Sequence, residues 1–540
     1  MNPETSDKNE PIISSQPAAD DDDDNNNTEV KEKQDTKPTL DISTVGKNPD
    51  SKTAALPTFC LFVALVSVIG AFENGWNTSV SNVPEKIIRD CKNGQKHVNI
   101  GVLPDCLPME NLLWGFAVGS YAIGGLIGGI SAGYLQTRFG RIRTLVGNNF
   151  SFILGALILG SAVNPGMFII GRILTGVGSG ISTVTVPTYL GEIATVKARG
   201  ALGTIYQLFL VIGILFTQII GLLLSSVPGW RILLALTAIP ALIQLILLRF
   251  CVETPRYLIS QNKLDEAQQS LQLLRPGFDV TNEYKEIYDG QQEAETVESR
   301  DPEKNPKTKD PKAISSGARK SLSFAQLFRD PMCRKMTIIC VTLSVIQQLS
   351  GINGVIFYST SIFSEVFADN AKYATVGVGV INLIFTMVSV ILIDRQGRKR
   401  LLLASEIGIV VTSILVVLGS IYSINLLVVV AVLLFVSSFA IGLGPIPFLI
   451  IPELLPTYGV SAAASLAMGL NWLSNFLVGL IFPVLKDALK NYTFLVFAII
   501  TSFGAIFTLL FVPETKGRTL EEIHNENSKD TKNLDSQMKS

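Results

Sequence analysis

The sequence QQLSGINGVIFYST, at residues 347–360, lies inside an apolar segment that extends over residues 336–363. Such a segment is long enough to cross a bilayer. It nevertheless contains uncharged hydrogen-bonding side chains, which are costly in hydrocarbon unless they face a partner, a cavity or a polar ligand. These side chains are Gln347, Gln348, Ser350, Asn353 and Tyr358. Amides that only hold helices together are the alternative, but three carboxamides so close together favour a binding site within the membrane.

Two glycines, Gly351 and Gly354, interrupt this stretch. In an unbroken helix, Asn353 would point about 140° away from Gln348. The amides can converge on one ligand only if the helix bends or unwinds near Gly351, as the discontinuous helices of transporters do. We therefore predict that the helix breaks at this glycine.

The composition indicates a membrane protein rather than an average soluble chain. Of the 540 residues, 48% are hydrophobic and 16% are charged, and the mean hydropathy is +0.39. The net charge of −1 argues against a nucleic-acid partner, and two histidines with six scattered cysteines form no metal-ligand cluster. No zinc-protease motif or phosphate loop is present. We predict a polytopic membrane protein that is not an enzyme and needs neither metal nor cofactor.

Apolar segments long enough to cross a membrane recur along the chain, six on either side of a hydrophilic region. The predicted segments are residues 57–81, 112–136, 145–163, 167–186, 202–224, 232–250, 336–363, 374–393, 401–422, 426–450, 462–485 and 494–512. This pattern predicts an all-α membrane protein with twelve transmembrane helices, arranged as two six-helix bundles.

The domain organisation follows from the same pattern. We predict a disordered tail at residues 1–55, which is too polar to bury a core, and bundles at residues 56–250 and 335–513. The region between them, residues 251–334, is predicted to contain short helices and a flexible insert, and residues 514–540 form a C-terminal tail.

Charged motifs after the even-numbered segments recur in the second half at an interval of 257 or 261 residues. The first-half members are Arg138, Gly140, Arg141, Glu192 and Glu253, and their counterparts are Arg395, Gly397, Arg398, Glu453 and Glu514. Because three motif pairs at nearly one period are hard to obtain by chance, we predict that the two halves are repeats.

Basic residues are concentrated in the short loops on one side of the predicted membrane, which indicates that both termini and the central loop are cytosolic. The first external loop is an exception, but it is longer and therefore carries less weight. That loop also contains Cys91 and Cys106. In an oxidising compartment these two residues would form a disulfide, and two free thiols are the alternative.

The motifs together resemble the sugar porter family of the major facilitator superfamily, in the expected order over nearly the whole membrane domain. The matching stretches are GYLQTRFGR (133–141), GR (171–172), PTYLGE (187–192), RGALGT (199–204), VETPR (252–256), QQLSGIN (347–353), DRQGRK (394–399), GPIP (444–447), NWLSNF (471–476) and PETKGR (513–518). Among family members, the chain looks most similar to eukaryotic facilitative glucose transporters. The resemblance implies the major facilitator fold and alternating-access transport of a monosaccharide, a hexose such as glucose, across the plasma membrane.

The resemblance also implies a set of sugar contacts, carried over position by position. These are Gln207, Gln347, Gln348, Asn353, Asn382, Asn471 and Trp472. Carboxamides suit a hexose because they both donate and accept hydrogen bonds without a net charge. Phe448 and Phe357 are further candidates for an aromatic platform beside Trp472.

Two departures from the family pattern concern the substrate and its coupling to protons. Ala440 and Phe448 stand where the glucose facilitators carry a glutamate and a tryptophan, which leaves galactose, fructose, pentoses and polyols open. Asn77 stands where proton-linked members carry an aspartate, which favours uniport. Glu73 lies one helical turn earlier, so proton symport through this carboxyl is the alternative. A hydrogen-bonded glutamate in an external vestibule would have no such role.

Charged loop residues are expected to form a cytosolic gate, with ion pairs that close in the outward-open state and break on opening. The candidates are Arg138, Arg141, Glu192, Arg199, Glu253 and Arg256 in the first half, and Arg395, Arg398, Glu453, Glu514 and Arg518 in the second. A purely topological role is the alternative for some of them.

Two other functions fit the sequence less well than transport. A sugar-sensing receptor of the same fold is disfavoured because about 28 residues follow Val512, which is short for a signalling tail. A channel is disfavoured because the sequence shows neither a ring of charge nor a carbonyl filter.

Overall fold

The computed structural model describes residues 57–89, 98–100, 103–195, 198–299, 324–329, 331–367 and 370–516. The predicted disordered tail and most of the predicted flexible insert and C-terminal tail lie outside these residues. Nearly all of the described chain is helical.

The first half contains the helices that correspond to the first six predicted segments, together with a short helix in a loop. They are α1 (Thr58–Ser67), α2 (Ile69–Ser79), α3 (Glu85–Arg89), α4 (Asn111–Phe139), α5 (Arg141–Gly160), α6 (Pro165–Ile193), α7 (Arg199–Leu224), α8 (Gly229–Ala235) and α9 (Ala238–Leu247). A small antiparallel pair of strands, β1 (Val98–Ile100) and β2 (Leu103–Pro104), lies in the loop before α4 and was not expected from the sequence.

The central region and the second half continue the helical chain. The central helices are α10 (Pro255–Ser260), α11 (Leu264–Leu274), α12 (Thr281–Ser299) and α13 (Phe324–Arg329). The second half contains α14 (Pro331–Leu349), α15 (Ile352–Phe367), α16 (Ala371–Gln396), α17 (Arg398–Ile421), α18 (Asn425–Ile441), α19 (Ile446–Leu449), α20 (Ile451–Leu454), α21 (Thr457–Leu489) and α22 (Thr493–Phe511). The short central helices that the sequence predicts are therefore present.

Eleven helical stretches in the described residues are long and apolar enough to cross a membrane. The last of them, Gly459–Phe511, has 53 residues, which would extend about 80 Å as one helix, against about 30 Å of hydrocarbon. The helix in fact ends at Leu489, and the backbone of the next residue, Lys490, turns to φ 47° and ψ −115°. Because α21 and α22 are separate crossings, the twelve predicted transmembrane helices are confirmed.

Glycines allow the helices of the first half to approach each other closely. A Cβ atom at Gly124 of α4 would lie 2.0 Å from the carbonyl oxygen of Ile173 of α6, and one at Gly128 would lie 2.1 Å from that of Val177. Side chains at these positions would therefore separate the two helices. Small residues at helix contacts are typical of membrane bundles, where close packing replaces the hydrophobic effect as the main attraction between helices.

The exposed surface is apolar and the interior contains many polar groups, which is the arrangement expected in lipid. Large apolar side chains such as Ile130 and Phe503 are 68% and 69% exposed. Polar residues such as Asn149 and Arg172 are fully buried. The side chains that carry chemistry therefore lie between the helices.

Candidate functional site

The transmembrane helix that contains QQLSGIN is broken at the predicted residue. Helix α14 ends at Leu349 and α15 begins at Ile352. Gly351 between them has a φ of 92°, which L-residues with a side chain rarely adopt. A Cβ atom there would also lie 2.6 Å from Cγ of Phe497. Both the backbone angle and the lack of space require glycine at this position.

The break brings four carboxamides together in one chain of hydrogen bonds. Asn353 Nδ2 donates to Gln348 Oε1 at 2.5 Å, and Gln348 Nε2 donates to Asn471 Oδ1 at 3.0 Å. Asn471 Nδ2 then donates to Gln347 Oε1 at 2.7 Å. Gln347 Nε2 ends the chain on the backbone oxygen of Gly444, at 2.6 Å. We call these four residues the amide chain.

The two ends of the amide chain differ in burial. Gln347 and Asn471 are buried, whereas Gln348 and Asn353 are half-buried. The buried pair, Gln347 and Asn471, therefore holds the half-buried pair, Gln348 and Asn353, in place. The half-buried pair has polar atoms available to a ligand. Because carboxamides donate and accept equally well, the arrangement suits an uncharged molecule with many hydroxyl groups.

Trp472 lies next to the amide chain at the contact between the two halves. Its ring packs edge-on against Tyr121 of α4, with the ring centroids 5.8 Å apart. A Cβ atom at Gly125 would lie 2.4 Å from the indole ring. The indole nitrogen is buried without a hydrogen-bond partner in the described residues, which leaves it available to a ligand that reaches it.

The other predicted sugar contacts are not joined to the amide chain by hydrogen bonds. Gln207 and Phe448 are half-buried and Asn382 is buried, so their role stays a prediction. Phe357 is 1% exposed and packs edge-on against Tyr358. The role of Phe357 as an aromatic platform for a sugar therefore also stays a prediction.

The structure also reveals a buried polar cluster in the first half whose function the sequence did not predict. Arg172 is fully buried, and its guanidinium donates to the backbone oxygens of Asn77 at 2.6 Å and Val118 at 3.3 Å. It also lies 4.6 Å from the ring centroid of Tyr121. A charged residue inside an apolar segment was the available signal, since such residues face the interior of a bundle.

Glu73 and Asn77 lie on one face of α2, as their spacing predicts. Asn77 Nδ2 donates to the backbone oxygen of Glu73 at 2.9 Å. The Glu73 side chain is 0% exposed, and neither carboxyl oxygen has a hydrogen-bond partner in the described residues. A hydrogen-bonded position in an external vestibule is therefore wrong for Glu73.

The repeated charged motifs form two equivalent clusters at one end of the molecule, which we call the motif face. In the first half, Arg141 pairs with Glu192 at 2.6 Å, and the carboxylate of Glu253 accepts from the backbone N–H groups of Arg141 and Ile142 at 3.0 Å. Burial raises the pKa of Glu253, and these backbone hydrogen bonds lower it by a smaller amount.

In the second half, Arg398 pairs with Glu453 at 2.8 Å and its backbone N–H donates to Glu514 at 2.8 Å. The sequence repeat is therefore also a repeat of contacts. Gly140 and Gly397, with φ of 90° and 91°, make the turns that place the two arginines at the start of α5 and α17.

The remaining gate candidates do not join these clusters through their side chains. Arg138, Arg256 and Arg395 are exposed, and their contacts with other described residues use backbone oxygens. The side chain of Arg199 and the whole of Arg518 lie outside the described residues, so their roles stay predictions.

The predicted disulfide is only partly within the described residues. Cys106 is disulfide-bonded, whereas Cys60, Cys251, Cys333 and Cys340 do not form disulfides. Cys91 lies outside the described residues, and its pairing with Cys106 therefore stays a prediction.

A group of hydrogen bonds joins the two halves at the end opposite the motif face. Asn82 Nδ2 donates to the backbone oxygen of Ile356 at 2.6 Å and to Ser359 Oγ at 2.7 Å, and Thr360 N donates back to Asn82 Oδ1 at 3.0 Å. We call this end the Asn82 face. The broken helix is thus held to the first half directly beyond its break.

The contact between α4 and α21 is tight at the Asn82 face and open at the motif face. A Cβ atom at Gly115 would lie 2.4 Å from the backbone oxygen of Leu480, whereas one at Gly133, five turns further along α4, would meet nothing within 4 Å. The halves therefore diverge towards the motif face.

Replacing Asn82 by alanine should release the Asn82 face. Three hydrogen bonds between the halves are lost, each worth about 1 kcal/mol net. The ratio of molecules with this face open to molecules with it closed should therefore rise by about a hundredfold. Distance measurements between spin labels at Leu112 and Asn491 should then show a larger population with these sites far apart.

The matched control for this prediction is Asn164→Ala. Asn164 caps α6 within one half, where its side chain accepts from Met167 N at 2.9 Å. Its loss should leave the label distances unchanged. An unchanged distance distribution in Asn82→Ala would contradict the assignment of the closed face.

Two six-helix repeats that close at one face and diverge at the other, around a buried uncharged polar site, define a membrane transporter of the major facilitator fold. The family model described as "Sugar (and other) transporter" matches residues 63–526. The chain belongs to this sugar transporter family.

Relatives and solved structures agree with this assignment. The chain is 38% identical to facilitated glucose transporter member 3 of Oryctolagus cuniculus, over 87% of this chain and 93% of the relative. It is also 38% identical to member 4 of Homo sapiens, over 88% and 92%. The partially occluded inward-open form of the xylose transporter XylE from E. coli matches with a TM-score of 0.68 and 25% identity, over 86% of this chain and 100% of that one.

Proposed function

We propose that this protein transports a hexose such as glucose across the plasma membrane by alternating access, as a uniporter. The amide chain carries this proposal, because four converging carboxamides beside a buried tryptophan match the hydroxyl groups and apolar face of a sugar. The relatives at 38% identity are named facilitated glucose transporters, which supports glucose as the first substrate to test.

We infer that the motif face is cytosolic and that the conformation described here is inward-facing. The bonds around Asn82 and the divergence of α4 from α21 support closure at the external side. The basic residues of the motif face support the same orientation through the positive-inside rule, with both termini in the cytosol.

The ion pairs of the motif face keep each half rigid while the halves separate. Arg141–Glu192 and Arg398–Glu453 each lie within one half and are intact in this conformation. We therefore expect these two ion pairs to stay intact when the cytosolic side opens, unlike the gate ion pairs that the sequence predicts. Additional bonds across the motif face would form the inner gate in the outward-facing state.

Uptake of labelled glucose by purified protein in proteoliposomes tests the proposed function. Glucose should equilibrate across the membrane at a rate that an imposed proton gradient leaves unchanged, because Asn77 cannot carry a proton. Competing galactose, fructose, xylose and polyols, each in excess, should identify the preferred substrate. Binding of glucose without entry would instead support a sugar-sensing receptor.

Proton symport is the second candidate function, and the environment of the Glu73 side chain favours it. Its carboxyl group is fully buried without a partner in the described residues. One matching structure, with a TM-score of 0.67 and 25% identity, is described as a proton:xylose symporter. Accumulation above the external concentration, lost with a protonophore and in Glu73→Gln, would establish symport and contradict uniport.

A further inference from the structure

A second carboxylic acid lies within the membrane, in the half of the molecule opposite to Glu73. Glu406 of α17 is 0% exposed, and its Oε1 accepts a hydrogen bond from Thr508 Oγ1 of α22 at 3.0 Å. Its Oε2 has no hydrogen-bond partner in the described residues. The function proposed above makes no use of this group.

Glu406 lies close to the helix that carries the amide chain. A Cβ atom at Gly504 of α22 would lie 3.4 Å from Glu406 Oε1 and 2.7 Å from Cγ2 of Ile346. Ile346 directly precedes Gln347 in α14. The carboxyl group therefore lies where α17, α22 and α14 meet, one residue from the inner end of the amide chain.

No positive charge in the described residues faces Glu406. Helices α18 and α22, which pack against α17, contain no ionisable side chain. The cations of α17 are Arg398, Lys399 and Arg400, which lie about two turns away at the start of the helix. Lys399 Nζ donates to the backbone oxygen of Leu509 at 2.9 Å. Most of the other ionisable groups on neighbouring elements lie in sequence near the helix ends, and they are Arg334, Lys335, Lys372, Tyr373, Asp394, Arg395, Lys490 and Tyr492. The exception is Cys340, which lies in the middle of α14. A carboxyl group without a counter-charge in a membrane interior is retained in its neutral form.

The internal repeat shows that a neutral side chain fits this position of the fold. Asn149 of α5 lies 257 residues before Glu406, the same interval that separates Arg141 from Arg398. Asn149 is also fully buried, and its amide donates to the backbone oxygen of Leu145 at 3.0 Å. Compared with Asn149, the carboxyl of Glu406 adds the ability to bind and release a proton.

We propose that Glu406 is a proton-binding site and that transport requires its protonated form. The proposal rests on the transport function above. Ionisation would require water or a cation to enter between α17, α22 and α14. The displacement of Ile346 would then disturb Gln347 and the amide chain. Sugar transport should therefore decline at alkaline pH.

Equilibrium exchange of labelled glucose in proteoliposomes, with equal pH on both sides, tests this proposal without any proton gradient. Wild-type exchange should fall by about tenfold per pH unit once the carboxyl group begins to ionise. Glu406→Gln should retain exchange with no such alkaline decline. The control Glu266→Gln removes an exposed carboxylate of the central region, which pairs with Lys263, and should retain the wild-type pH profile.

An alkaline decline that persists unchanged in Glu406→Gln would overturn the proposal, as would wild-type exchange without any decline. If Glu406→Gln folds poorly, Glu406→Asn copies the side chain of Asn149 and serves the same comparison. Thermal unfolding over the same pH range provides a measurement that does not depend on transport. A melting temperature that falls at alkaline pH in the wild type but not in the variant would support the proton site, even if glucose proves to be the wrong substrate.

Discussion

Gly351→Ala should abolish sugar uptake and destabilise the protein more than any other single methyl group added to α14 or α15. A side chain at a φ of 92° costs about 1–3 kcal/mol. The added Cβ would lie 2.6 Å from the ring of Phe497, and overpacking of this kind costs about 1–3 kcal/mol more. Relief of this strain requires the break to move, and the amides would then no longer converge.

The matched control is Gly377→Ala, which adds the same methyl group to α16. Its nearest neighbour would be Cδ2 of Leu433 at 3.9 Å, an ordinary contact, and alanine favours the helix by about 0.5–1 kcal/mol. Thermal unfolding in detergent and glucose uptake should separate the two variants clearly. Wild-type stability and uptake in Gly351→Ala would show that the break does not determine the site.

Gln348→Ala should reduce uptake by about 10- to 100-fold while the fold remains intact. Gln348 is the half-buried residue that joins Asn353 to Asn471, at 2.5 Å and 3.0 Å. Its loss leaves one donor and one acceptor unpaired, at about 1–3 kcal/mol each when buried, and removes a contact to the sugar. Each 1.4 kcal/mol lost in the transition state for transport corresponds to about a tenfold lower rate.

Gln272→Ala on the exposed surface of α11 is the matched control. It removes the same side-chain atoms at a position where water can take over their hydrogen bonds. Both variants should elute as folded protein, and Gln348→Ala should melt somewhat below the wild type because of its unpaired groups. Initial rates of glucose uptake, measured over a range of concentrations, should fall only in Gln348→Ala. Normal rates and unchanged sugar selectivity in a well-expressed Gln348→Ala protein would contradict the assignment of the amide chain as the sugar site.

The position of the transmembrane helices and the internal repeat could be predicted because both depend on local or periodic features. Hydropathy over about 20 residues decides whether a segment enters the bilayer. The charged motifs that recur at 257 or 261 residues identified the halves, and the structure places them in equivalent contacts. The break at Gly351 was also predictable, because glycine and clustered amides within one apolar segment conflict with a straight helix.

The partners of the polar side chains could not be predicted in the same way. The amide of Gln347 binds backbone oxygens at Leu443 and Gly444, almost a hundred residues later. Arg172 was visible as a charge in an apolar segment, but its contacts with Asn77 and Val118 depend on how α6 packs against α2 and α4. Phe357 is a candidate aromatic platform in the sequence, and its contact with Tyr358 is visible only in the structure.

The sequence by itself determined the fold class, the twelve crossings, the duplication and the chemical type of the site, because each follows from hydropathy, backbone preference or hydrogen-bonding capacity. Only the tertiary structure decided which face is closed, which amides meet and which carboxyl groups are enclosed without a counter-charge. These properties depend on distances between helices that are remote in the chain. The residues that the neighbouring helix places beside a polar side chain therefore decide its role. It can bind the sugar, hold another side chain in place or remain as a buried acid without a counter-charge.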